Sequence, residues 1–214
     1  GAMVVLVATN RERLMENAES IKSAGGKADF EVCDLTKDAD VFALMERIVQ
    51  KHGSIDILVN NAGISKEMPL LEMPVEVFDE IMNVNFRTVM LVTKAALPYM
   101  VKQQCGNIVN IASAAALRGL PGSSAYSASK AAVVCLSQTL GDELRPHHIR
   151  VNVVCPGPVD TELFQKSAKR DFILAAGGDV FSPETVADGV LYLASDLSKG
   201  MSSQTLTIRG FNRW

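Results

Sequence analysis

GNIVNIASAAALRGLPGSSAYSASK, residues 106–130, is the stretch around which the whole chain can be arranged. Ile108 to Ile111 is a short apolar run suited to a buried strand, so Ser113 falls just past a carboxyl end, where open α/β sheets gather their ligand chemistry. Gly119, Pro121 and Gly122 mark a loop, and from about Tyr126 to Leu144 the apolar period turns helical. On that helix Tyr126 and Lys130 are four residues apart and share a face. The spacing has a chemical use. A phenol titrates near a pKa of about 10, and an ammonium about 4 Å away at an effective dielectric of about 20 is worth about 4 kcal/mol. At about 1.36 kcal/mol per pKa unit that is an upper bound of roughly three units, enough to bring the phenol towards working pH. The same spacing also arises by chance on many helices.

Composition narrows the class. The chain has 214 residues, 48% of them hydrophobic, which is enough for one domain with a sizeable core. A net charge of -3 leaves no electrostatic footprint for nucleic acid or an anionic membrane surface. No apolar run has the length of a membrane span and no signal peptide is visible, so a cytoplasmic protein is expected. Cys33, Cys105, Cys135 and Cys155 lack metal-type spacing and read as buried thiols of a reducing compartment; no metal site is expected.

Ser113, thirteen residues before a Tyr-x-x-x-Lys, with a strand before and a helix after, resembles the short-chain dehydrogenase/reductases. Asp34-Leu35, Asn60-Asn61-Ala62-Gly63, Asn83-Val84-Asn85, Pro156-Gly157 and Gln204-Thr-Leu-Thr follow in the family's order. The resemblance implies a doubly wound, Rossmann-like α/β fold with a mostly parallel sheet in three layers. It implies Asn85, Ser113, Tyr126 and Lys130 as the catalytic set, and a nicotinamide cofactor. The textures closest to this one are 3-oxoacyl-carrier-protein reductases and broad carbonyl reductases.

Along the chain, Val4 to Ala8 suits a strand buried on both faces and Arg11 to Ala24 a helix closed by Gly25-Gly26. In dinucleotide sites an acidic residue after this strand holds the ribose 2′-hydroxyl and would repel a 2′-phosphate. Ala8 and Thr9 stand there, followed by Asn10, Arg11 and Arg13, so the reading is NADP rather than NAD; Arg11 can equally be a solvated first-turn residue. Ala28 to Val32 is the next strand. By resemblance Asp34, with Leu35, meets the adenine, and its alternative is a helix or turn N-terminus. His52, near the end of a helix from about Ala39, has no evident partner. Ile55 to Asn60 runs into Asn61-Ala62-Gly63, a turn where glycine lets backbone approach a flat ring and which, by resemblance, meets the adenine and its ribose.

Val75 to about Gln103 reads as one long helix, apolar on much of its girth, which suggests packing on a partner subunit in a homodimer or homotetramer. Asn85 interrupts it: a packed or solvated polar residue, or, by resemblance, the support of a proton relay to the lysine. Arg150 to Cys155 is a strand, Pro183 to Ser195 a helix and Gln204 to Ile208 a last strand. By resemblance Pro156, Gly157 and Val159 orient the nicotinamide, and Thr161 faces its carboxamide or a phosphate. Residues 162–182, with Phe164, Phe172, Ile173 and Leu174, read as a substrate lid whose apolar content suggests a greasy substrate. The tail, residues 209–214, departs from the family's Asp-Gly-Gly.

One departure is larger. The family's first strand and Thr-Gly-x-x-x-Gly-x-Gly turn, which holds the pyrophosphate, do not occur within these 214 residues. Gly1-Ala2-Met3 resembles the end of the loop before the second strand, or a vector scar. In the strand order 3-2-1-4-5-6 this leaves about 9.6 Å between Val4–Ala8 and Ile55–Asn60, with unpaired backbone on both sides at a cost of about 1 to 3 kcal/mol per buried group. The expectation is therefore an oxidoreductase passing hydride between NADP(H) and a small carbonyl or alcohol. Its alternative is a truncated, inactive relative serving as an interaction module.

Overall fold

Gly106–Ile111 (β4) is buried along all but its last residue and lies between Ile57–Asn60 (β3) and Ile149–Pro156 (β5), with Thr205–Ile208 (β6) beyond β5. All pairings are parallel, Leu58 opposite Ile108 and Ile108 opposite Val151. The structure, a computed structural model, describes residues 1–175 and 177–210. Successive β4 side chains point to opposite faces, and this alternation builds the layers. Ile108 packs with Val151 against Asp38–His52 (α2) and Thr88–Gln103 (α4) through Leu44, Leu91 and Met100. Val109 packs with Val154 under Leu193 of Pro183–Ala194 (α8) on the other face. Fully burying one such side chain is worth about 1.5 to 3 kcal/mol, so the strand that carries Ser113 at its end is held from both sides.

The remaining strands form a separate pair. Met3–Ala8 (β1) pairs in parallel with Lys27–Val32 (β2), joined by Arg11–Ser23 (α1), and among the described residues β1 has no other strand neighbour. β3 likewise pairs with β4 alone, so the expected lack of pairing between β1 and β3 holds. The expected cost changes, because these strands are not buried: Met3, Val4, Ile57 and Val59 are 38–46% exposed, and water can reach them. The pair is joined to the larger sheet through helix packing, with Val7 and Leu35 against the cluster that α2 and α4 share.

Several local expectations are corrected. The long helix is three segments, Val75–Met82 (α3), a π-helical turn Asn83–Arg87 and α4. Most of the apolar girth of α4 is absorbed within the chain, since Val89 packs with Val133 and Val153 while Leu91, Val92 and Ala95 pack with α2. β3 begins at Ile57 instead of Ile55, because the Gln103 side chain takes the Ile55 backbone: its amide donates to Ile55 O at 3.2 Å. Cys33 and Cys155 are buried thiols, but Cys105 and Cys135 are exposed. His52 does have a partner, with Nε2 2.9 Å from Asp29 Oδ2.

Candidate active site

Ser113 lies two residues past β4 in extended backbone (φ -169, ψ 156), and its Oγ accepts from Ala115 N at 3.1 Å, opening a short turn. Ser124–Glu143 (α5) then carries Tyr126 and Lys130 on the expected shared face. The Tyr126 phenol hydrogen-bonds with the Ser113 side chain. Lys130 is only 4% exposed; its Nζ donates to Ile111 O at 2.9 Å and stands 6.0 Å from the centre of the Tyr126 ring.

The electrostatics differ from the simple pairing argument. Burial pushes the Tyr126 phenol up from its ordinary value; the Ser113 hydrogen bond pulls it down, and Glu67 and Cys155 push it further up. The expected depression by Lys130 is absent, because the same burial penalises the ammonium, which falls to about 8. Burial also raises the Cys155 thiol to about 11, against a hydrogen bond from the Ser113 backbone and the nearby Lys130, so it stays protonated at neutrality.

Asn85 is fully buried inside the π-helical turn, a feature found often at functional sites. Its Oδ1 accepts from Ile64 N at 2.8 Å, and its Nδ2 donates to Ile64 O at 2.9 Å and Ser129 Oγ at 3.0 Å. That clamp holds the Asn61-Ala62-Gly63 turn against α5. A Cβ built on Gly63 would lie 3.3 Å from both Asn85 Oδ1 and Lys130 Nζ. Gly63 is therefore a cradle beside the lysine, as a flat cofactor group resting there requires. Asn61, Ala62 and Gly63 are exposed on the same rim.

The other expected residues divide. Thr9 and Asp34 share an open cavity of about 420 Å³ at the ends of β1 and β2, with Cys33, Asp40 and Arg47. Asp34 Oδ1 accepts from Thr36 N at 3.0 Å and Thr36 Oγ1 at 2.7 Å, the turn arrangement that was its alternative reading. Leu35 turns into the core. Asn10 caps α1, accepting from Arg13 N at 3.0 Å, and the Arg11 guanidinium lies 5.6 Å above the Phe30 ring, a surface packing role. Pro156 is buried at the end of β5, Gly157 N donates to Ile208 O at 2.7 Å, and Val159 pairs with Phe181. Thr161 caps Glu162–Gln165 (α6), and its Oγ1 donates to Val159 O at 3.2 Å. Residues that could hold the two ends of a dinucleotide are thus present, around Gly63 and Lys130 and around Thr9 and Asp34.

In the segment 162–182, Phe172 is 73% exposed and Leu174 also faces solvent, while Ile173 is buried, so its apolar residues do not converge on Tyr126. What reaches the start of α5, three residues before Tyr126, from this segment is polar. Lys169, before Arg170–Ala175 (α7), reaches Ser123 Oγ and lies 3.9 Å from Glu67 Oε1. Sequence reasoning missed Glu67, Ser123 and Lys169; the only signal was an acidic residue a few positions after the Asn61-Ala62-Gly63 turn. Ala176 and, in the tail, 211–214 lie outside the described residues.

Comparison with known proteins decides the family. The family model for short chain dehydrogenase matches residues 1–171. The chain belongs to the short-chain dehydrogenase family. This short-chain dehydrogenase is 37% identical over 98% of its length to a 3-oxoacyl-(acyl-carrier-protein) reductase of Thermotoga maritima, covering 87% of that protein. It is 38% identical over 83% of its length to a 2-(R)-hydroxypropyl-CoM dehydrogenase of Xanthobacter autotrophicus, covering 74% of it. A short-chain dehydrogenase/reductase from Mycobacterium marinum superposes with a TM-score of 0.93 at 36% identity, over 98% of this chain and 85% of that one. An NAD+-bound xylitol dehydrogenase does so with a TM-score of 0.91 at 29% identity, over 99% of this chain and 89% of that one. Family and neighbours make it an oxidoreductase that uses a nicotinamide cofactor, and do not favour the interaction-module reading. Among the described residues no helix is long and apolar enough to cross a membrane.

Proposed function

We propose that this short-chain dehydrogenase reduces a ketone to a secondary alcohol with NADPH, a 3-oxoacyl thioester or a related small carbonyl being the substrate class. The observation that carries the reading is the junction of Ser113, Tyr126 and Lys130 at the ends of β4 and α5. A bound nicotinamide supplies the hydride. Tyr126 gives its phenol proton to the carbonyl oxygen, and Ser113 Oγ hydrogen-bonds to that oxygen as negative charge develops on it. Burial that holds the phenol protonated at neutrality suits the reductive direction. Lys130 holds positive charge beside the donor and grips the nicotinamide ribose, and Asn85 fixes the turn on which the ring rests. Pro156, Gly157, Val159 and Thr161 serve the nicotinamide half, joined by Asn61, Ala62 and Gly63, which were expected against the adenine and its ribose but lie beside Lys130. Thr9 and Asp34 serve the adenosine half, and Asn10, Arg11 and Leu35 support it from the cap of α1, the Phe30 ring and the core. Residues 162–182 form the lid.

The preference for NADPH rests on Ala8 and Thr9, neither of them acidic, at the end of β1 where an NAD site carries a carboxylate. Replacing Tyr126 with Phe keeps the ring and removes the proton. Turnover of a ketone should fall by at least about 100-fold with little change in cofactor binding, and near-normal turnover would sink the assignment. Comparing kcat/KM for NADPH and NADH checks the cofactor, and Ala8→Asp should move the preference towards NADH. A cytoplasmic homodimer or homotetramer is the assembly we propose. Exposed Leu191 and Leu197 on and after α8 support it, and light scattering tests it.

A further inference from the structure

Glu67 lies in the loop after β3 with its carboxylate mostly buried, 18% exposed, and both of its polar neighbours come from residues 167–169. Ser167 Oγ donates to Oε1 at 2.9 Å, and Lys169 Nζ stands 3.9 Å from the same oxygen. Among the described residues, Oε2 is buried with no partner. Lys169 also donates to Ser123 Oγ, a hydroxyl 2% exposed and three residues before Tyr126, while Met68 N binds Gly122 O at 2.9 Å. Three segments distant in sequence therefore meet at the start of α5, three residues before Tyr126: the loop after β3, the start of α5 and the lid.

A carboxylate oxygen without a donor is costly to keep in such a place and is rarely incidental. Its charge raises the hold of the Tyr126 phenol on its proton, and both groups are largely buried, where charges interact more strongly than in water. Lys169, carried by the segment proposed above as the lid, brings the opposite charge. We propose that Glu67 and Lys169 are positioning residues that form a lid latch governing how readily Tyr126 releases its proton, Glu67 holding the proton on and Lys169 countering it when the lid is shut. The inference rests on the role proposed above for Tyr126. Among the described residues, the other groups acting on or beside the phenol are Ser113 just past β4, Lys130 on α5 and Cys155 on β5, and all three lie outside residues 162–182.

The test uses the full chain with Glu67→Gln, Lys169→Met and the double variant, and two readouts. Ultraviolet titration of the tyrosines, with Tyr126→Phe as the blank, follows the phenol itself. The pH profile of kcat/KM for alcohol oxidation follows its use as a base. Glu67→Gln should move both transitions to lower pH and Lys169→Met to higher pH, and the double variant should follow Glu67→Gln because Lys169 acts through Glu67. Alcohol oxidation near neutrality should rise severalfold in Glu67→Gln and fall severalfold in Lys169→Met. Transitions that stay put, or that move the same way in both single variants, would overturn the latch. Titrations that move as expected in a protein that oxidises no alcohol would leave the latch standing and refute the proposed function instead.

Discussion

Lys130→Met replaces a buried cation with an apolar chain of similar length, and the structure fixes how the stability difference must depend on pH. The ammonium titrates at about 8 in the fold against 10.5 ordinarily, so the folded protein binds this proton more weakly than the unfolded chain. For a base with a depressed pKa the penalty is fully present below about pH 8 and disappears as pH rises through the unfolded value. The interval corresponds to about 3 kcal/mol, and with Lys130 4% exposed there is little solvent screening to discount. The variant also loses the Nζ bond to Ile111 O, about 1.5 to 3 kcal/mol for a charged donor, which offsets most of the gain near neutrality. That loss depends far less on pH than the titration does. Urea denaturation of both proteins at intervals from about pH 7 to 10.5 should show wild type gaining about 3 kcal/mol relative to the variant, most of it above pH 8. Stability curves that run parallel over this range would refute the burial argument.

Gly63→Ala places a methyl 3.3 Å from Lys130 Nζ and Asn85 Oδ1; ketone turnover and cofactor affinity should both fall while urea stability changes by less than about 1 kcal/mol. Arg150 donates to Leu193 O, Ser195 O, Ser198 O, Ser198 Oγ and Met201 O, tying β5 to the carboxyl end of α8; Arg150→Lys cannot reproduce that fork and should cost about 2 to 4 kcal/mol by urea titration, with kcat unchanged in the folded fraction. Backbone amides of β1 and β2, which belong to the smaller sheet, should exchange with solvent faster than those of β4 and β5, as mass spectrometry can resolve.

The parts of the site that sequence could show are those set by local geometry. A strand period places Ser113 past the end of β4, and a four-residue helical step puts Tyr126 over Lys130; neither needs knowledge of the rest of the chain. The π-helical turn at Asn85 was not legible because it follows the same apolar pattern as an α-helix. In the structure the Asn85 side chain is bound to the backbone of Ile64, 21 residues away. Cys105 and Cys135 read as buried thiols, yet Cys105 is exposed in the connection between α4 and β4 and Cys135 on the outer side of α5, since hydrophobicity alone does not say which face is turned inward. The pairing of Glu67 with Lys169 was out of reach for the same reason: only the folded loops bring them together.

The protonation state of the site likewise follows from packing more than from spacing. Taken as an isolated pair four residues apart, Tyr126 and Lys130 should stabilise each other's charged forms and lower the phenol. In the fold, burial acts on both, penalising phenolate and ammonium alike, so the phenol rises while the ammonium falls to about 8. The order of the two affinities then has a chemical consequence for the proposed reduction. A phenolate left at Tyr126 after it gives up its proton is the stronger base of the pair, and the Lys130 ammonium is the stronger acid. Return of a proton from the lysine side to the tyrosine is therefore downhill, and a lysine titrating near 8 regains its own proton from solvent close to neutrality. Burial that would hinder Tyr126 as a base equips the couple to act as an acid and to be recharged.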